Sequence, residues 1–205
     1  MANLNTPFGI RPINDNGTPW SGQGRMVCFL ASYASNVFLG DPLVPTGATD
    51  GFGVPVVQLA TAGATNTILG GFVGLTNGPA NGAGGAAFTV TRDLPVYRQA
   101  SVLAYGLVCD DPNQLYAVQE DSNGGAISIA NAGIANGNLV AGGGGSTVTG
   151  FSSWQLQSSS VTGAGNATYQ VKILSLLRGP DNAIGVNAKW VVRLNLPALW
   201  AAAGY

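Results

Sequence analysis

The sequence predicts an all-β protein, a β-sandwich or jelly-roll-like barrel, and three observations carry that expectation. Short apolar runs of strand length recur along the 205 residues, clusters of Gly, Pro, Asn and Asp separate them, and no amphipathic helix of ordinary length interrupts the series. A packing helix would need apolar residues at every third or fourth position. No internal repeat of fixed period is evident, which argues against a propeller or solenoid.

Residues 1–24 carry Pro7, Pro12 and Pro19, repeated Asn and Gly, and isolated apolar residues such as Phe8, Ile10, Ile13 and Trp20. Prolines exclude a helix, and no alternation is long enough for a strand, so an extended N-terminal arm laid on a neighbour is expected. Residues 25–205 then form a single β domain. Strands are expected from Arg25 through Met-Val-Cys-Phe-Leu-Ala, over Val54–Ala60, and over Thr67–Leu75, where Gly70, Gly71 and Gly74 signal bulges or close backbone contact. Pro42 and Pro45 confine the piece after Gly40-Asp41 to an edge or turn. Asn77–Ala87 reads as loop and Pro95–Arg98 as a short strand.

Ser101–Cys109 and Gln114–Glu120 flank Asp110-Asp111-Pro112-Asn113 and read as a hairpin whose first strand is apolar on both faces. A weak helical turn is expected near Ile127–Ala132. Gly142–Gly145 fits either a flexible linker or a wide turn. Thr147–Thr149 and Trp154–Gln157 look like short strands. A second hairpin spans Tyr169–Asn195, with Trp190, Val192 and Leu194 on one face of its return strand and Lys189, Val191, Arg193 and Asn195 on the other. In its first strand Tyr169, Val171, Ile173 and Leu177 share a face opposite Leu174 and Leu176. Gly179-Pro180-Asp181-Asn182 supplies the turn chemistry of a long tip. Pro197 opens a short C-terminal helical turn packed through Leu199 and Trp200.

Only 8% of the residues are charged, against roughly 25% in an average soluble domain. Such a surface gives little colloidal repulsion: either other subunits cover much of it, or it is a neutral glycine-rich β surface. The net charge is −1 and the eight cations are scattered, so no nucleic-acid partner is expected. Cys28 and Cys109 lie in apolar runs and read as buried thiols. No signal peptide and no membrane span are recognised, and synthesis in the cytoplasm is the default.

The chain contains no histidine and one glutamate, which removes Ser-His-Asp and Cys-His catalysis and most zinc sites. Asp110 and Asp111 are adjacent and read as turn residues before Pro112, not as a catalytic pair. Glu120, Asp121 and Asn123 lack the spaced loop of a calcium site. No glycine run ends in Gly-Lys-Ser/Thr. No catalytic residue, cofactor or metal is expected. Among the tryptophans, Trp190 reads as core, whereas Trp20, Trp154 and Trp200 stay open as a sugar-binding surface.

Several segments also carry a resemblance. Met1-Ala-Asn-Leu-Asn-Thr-Pro-Phe-Gly-Ile-Arg-Pro12, Trp20-Ser-Gly-Gln-Gly24, Gly40-Asp-Pro42, the Asp110-Asp-Pro to Gln119-Glu-Asp segment and Arg178-Gly-Pro-Asp-Asn-Ala-Ile-Gly-Val-Asn-Ala-Lys-Trp-Val-Val-Arg-Leu-Asn195 occur in the order found in a family of tailed-bacteriophage virion proteins, which the chain resembles over nearly its whole length. Members are regarded as capsid decoration, or cement, proteins or as structural proteins of the head. The resemblance implies a non-enzymatic role on the outer surface of the capsid, with the major capsid protein and sibling subunits, in a homotrimer, as partners. Phe8, Ile10, Arg11 and Trp20 in the arm, and Arg178, Asp181 and Asn182 at the hairpin tip, are the contact candidates. A carbohydrate- or receptor-binding β module of the virion is the alternative, and for the tip a plain solvent-exposed loop.

Overall fold

Twelve strands and three single 3-10 turns make up the described chain: β1 (Arg11–Ile13), β2 (Arg25–Phe29), β3 (Pro42–Thr49), β4 (Pro55–Leu59), β5 (Gly70–Thr76), β6 (Ala104–Cys109), β7 (Leu115–Gln119), β8 (Asn136–Gly137), β9 (Leu139–Val140), β10 (Gln155–Leu156), β11 (Val171–Leu176) and β12 (Lys189–Leu194). The computed structural model describes residues 3–14, 17–18, 20–22, 24–78, 95–163 and 165–200, the last of these without its side chain. The all-β expectation holds. A closed five-stranded barrel, in the order β2-β4-β3-β5-β6, adjoins a five-stranded antiparallel sheet, in the order β1-β7-β12-β11-β8, and β9 and β10 form a small ribbon.

Within the barrel all neighbours are antiparallel except β2 and β4, which meet in parallel at Cys28 and Val56. Phe29 and Phe72 pack edge to face inside it, with ring centroids 5.6 Å apart, among Val27, Leu43, Val57, Leu69 and Val108. The glycines of β5 act as their sequence suggested. A side chain at Gly70 would overlap the Cys109 carbonyl, and the register shifts between Phe72 and Gly74. The piece after Asp41 is not an edge, however: β3 lies between β4 and β5. Prolines are tolerated there because Pro42 opens the strand and β5 pairs only with Pro42 and Leu43, leaving Pro45 beside β4 alone.

In the sheet, β11 and β12 form the expected hairpin. Trp190, Val192 and Leu194 face the larger core with Tyr116, Val118, Val171 and Ile173. Ile13, Ala117 and Val191 are buried on the opposite face, with Phe8, Leu115, Leu174 and Leu177 packed against them. A bulge between Ile173 and Ser175 inverts the alternation. Leu176 therefore sits opposite Trp190 against the larger core, and Leu177 joins Leu174, the reverse of the expected faces.

Other expectations are corrected. The N-terminal segment does form a strand: β1 pairs with β7, Ile10 is fully buried, and the arm's neighbour is its own domain. Ser101–Cys109 and Gln114–Glu120 are not a hairpin. β6 belongs to the barrel and β7 to the sheet, so Asp110–Gln114 carries the chain from one to the other. Pro95–Arg98 makes only one bridge, Arg98 to Val37. Thr147–Thr149 is a turn, and Gly142–Gly145 is a turn ending in a bridge from Gly145 to Ser152. The helical turn near Ile127–Ala132 appears as a 3-10 turn at Ile129–Asn131, capped by the Ser128 hydroxyl. The C-terminal turn, Ala198–Trp200, packs through Ala198 while Leu199 is exposed. Most of the Asn77–Ala87 loop lies outside the described residues.

Candidate functional site

The start of the arm, at Asn3 to Thr6, lies against the hairpin tip. Asn3 donates through Nδ2 to the carbonyls of Ala183 (2.8 Å) and Val186 (3.0 Å) and accepts from the Ala183 amide (3.0 Å). Beneath them Gln119, fully buried at the end of β7, donates to Leu4 O (2.6 Å) and Asn187 O (3.0 Å) and accepts from the Thr6 amide (3.0 Å). One side-chain amide thus satisfies three backbone groups from two distant segments. The face so formed exposes Leu4 (76%), Ile184 (47%) and Val186 (53%).

The tip itself is internally braced. Asn182 donates to Leu177 O (2.7 Å) and Lys189 O (2.8 Å) and accepts from the Lys189 amide (2.9 Å), closing the hairpin. Asp181 is exposed and bonded to Lys189 Nζ at 2.7 Å, and Arg178 is exposed. Asn182 therefore braces the hairpin while remaining half-buried, and Ile10 is fully buried in the core, which corrects the nomination of Ile10 as a contact.

Further along the arm, Arg11 projects between two rings, its guanidinium carbon 5.0 Å from the Phe8 centroid and 5.1 Å from that of Phe151. Phe8 and Trp20 are half-buried, Phe8 against the smaller cluster and Trp20 against the larger. Two grooves meet at this arginine. One, of about 330 Å³, runs beside Ile10, Trp20, Leu39, Phe72 and Val73; the other, of about 530 Å³, runs beside Thr6, Ser146, Thr149 and Ser152.

Two buried carboxylates lie nearby in the fold. Asp41 accepts from the Phe38 amide at 2.7 Å, and burial outweighs this bond and one from Ser152, pushing its pKa up to about 6. Glu120 accepts from Trp190 Nε1 (2.9 Å), the Ile127 amide (3.1 Å) and the Ser122 hydroxyl (3.1 Å), with its pKa raised by burial. Asp121 accepts from the amide and hydroxyl of Ser158. Glu120, Asp121 and Asn123 are thus spent on the protein, and among the described residues no group of three or more His, Cys, Asp or Glu side chains could hold a metal. Asp110 pairs with Arg25 Nε at 2.6 Å, whereas Asp111 caps its own turn through the Asn113 amide. Cys28 and Cys109 are free, buried thiols. Trp190 and Trp154 are both buried in the larger core.

Sequence reasoning missed Gln119 and Gln170. Gln170, also fully buried, accepts from the Gly63 and Leu139 amides and donates to Thr61 O and Asn66 O. A glutamine at a strand end reads as surface, and nothing local signals otherwise. No family model, curated protein or solved structure matches the chain.

Proposed function

We propose that this protein is a non-enzymatic virion structural protein, a capsid decoration or cement protein that binds the outer face of a major capsid protein and ties neighbouring capsomers together. The observation that carries the reading is the joint arm–tip face, where Leu4, Ile184 and Val186 are exposed on a backbone pinned from below by Gln119. Apolar side chains held on a fixed scaffold lose little freedom on docking. At the tip, Asp181 and Lys189 already pair with each other, which limits the desolvation that opposes burial. A homotrimer presenting three such faces would bind multivalently, each contact raising the effective concentration for the others. The competing reading, a carbohydrate- or receptor-binding module, draws no support from Trp154 and Trp190, whose rings are buried.

The test is co-sedimentation with capsids lacking the protein. The wild type should pellet at micromolar concentration, and a Leu4→Asp/Ile184→Asp/Val186→Asp variant should stay in the supernatant with its fold intact. Wild type remaining in the supernatant overturns the cement reading; a triple variant that pellets removes this face from it.

A further inference from the structure

We propose that Arg11 and the two grooves meeting at it form a binding site for an extended acidic peptide, with an aspartate or glutamate carboxylate on the guanidinium and a neighbouring large apolar side chain in the groove beside Trp20. Three observations converge. Arg11 is exposed, and the ion pairs among the described residues are Arg25–Asp110 and Lys189–Asp181, so among the described residues no carboxylate pairs with it. Its plane is fixed by Phe8 and Phe151, so a bidentate carboxylate pair forms with little further ordering.

The third observation is the contrast between the grooves. Beside Trp20 the walls are Ile10, Pro12, Leu39, Phe72 and Val73, an apolar trough. On the other side the exposed Thr6, Ser146 and Thr149 offer hydroxyls to a peptide backbone. A sugar acid would satisfy the arginine but would leave its hydroxyls unpaired against the apolar trough. An apolar side chain needs no partner there. Phosphate chemistry is disfavoured by the single cation.

The site lies on the arm, so its natural partner is the capsid of the proposed function, and to that extent the inference rests on that reading. The test separates them. N-acetyl-Asp-Phe-amide is titrated into the full-length protein while the Arg11 Nε–H and Trp20 indole resonances are followed by NMR. Both should move saturably, and N-acetyl-Asn-Phe-amide should bind at least about tenfold more weakly. Arg11→Gln should erase that difference while its amide spectrum otherwise matches wild type. Equal binding of the two peptides, movement with neither, or equal shifts with glucuronate would each overturn the acidic-peptide site. In the capsid assay, wild type that pellets alongside equally pelleting Arg11→Gln sinks this inference and spares the cement reading. Wild type that does not pellet but still discriminates the two peptides does the reverse.

Discussion

The barrel and the sheet are assembled from different kinds of sequence. Four barrel strands come from one stretch, Arg25 to Thr76, and only β6 is added from further on. The sheet takes its strands from Arg11 to Leu194, so it closes only when both ends of the chain have arrived. Their buried polar groups differ accordingly. At the barrel, Arg98 is fully buried and gathers the carbonyls of Leu30, Tyr33, Ser35 and Val102 at 2.6–2.9 Å, with its guanidinium near the Phe29 and Tyr33 rings. At the sheet, Gln119, Glu120 and Gln170 each fasten segments far apart in sequence, Glu120 through the Trp190 indole. The barrel is thus the more local unit and the sheet the one that depends on long-range closure. Both proposed contact surfaces lie along the arm, which the sheet holds.

The sharpest way to break this comparison is Trp190→Ala. Removing a fully buried indole should destabilise by about 3–5 kcal/mol, and it strips the Glu120 carboxylate of a donor. Hydrogen exchange should accelerate in β7, β11 and β12 more than in β2 and β5; uniform acceleration would make barrel and sheet one cooperative unit.

Next in size is Asp41, which sits where the arm crosses the barrel. Its pKa is raised to about 6, so ionisation in the folded state is disfavoured. The contribution to stability is therefore present at low pH and lost as pH rises from about 4 through 6, by roughly 2–3 kcal/mol from linkage. Chemical denaturation across that range should show this slope, and Asp41→Asn should flatten it. A slope unchanged in the variant would assign it elsewhere.

Gln119→Ala should follow, at about 1–3 kcal/mol, because Leu4 O, Asn187 O and the Thr6 amide lose their partner. Its more telling effect is on the arm. Limited proteolysis should clip residues before Phe8 faster than in wild type while the barrel stays resistant, and an unchanged clipping rate would mean that Asn3 alone holds the arm. The smallest effect belongs to Asp181→Asn, which should leave the unfolding midpoint unchanged despite the 2.7 Å bond to Lys189, since exposed ion pairs contribute little.

Strand content was legible because alternation survives in single strands: the faces of Trp190, Val192 and Leu194, and the glycines of β5, follow from local pattern. Topology was not. Asp110–Gln114 has the chemistry of a tight turn, and nothing in it tells a hairpin from a crossing between barrel and sheet. The bulge after Ile173 likewise has no residue that announces it. For the candidate site, the arm and tip were visible as separate stretches, but their union depends on Gln119, whose partners lie 115 and 68 residues away. Several residues of the sequence prove to be the joints of the fold: Gly9 and Gly40 at a crossing, Asp110 at the barrel exit, Gln119 and Glu120 near the tip.

That crossing has a consequence for recognising kin. Gly9 and Gly40 both adopt positive φ, 73° and 89°, and a side chain on either would strike the backbone of the other's segment while Ile10 donates to Gly40 O at 2.8 Å. Substitution at one position cannot be relieved by substitution at the other, so both should stay glycine while the loops around them drift. A fingerprint of Gly-Ile, then Gly-Asp-Pro some thirty positions on, would outlast overall similarity in distant chains of this architecture.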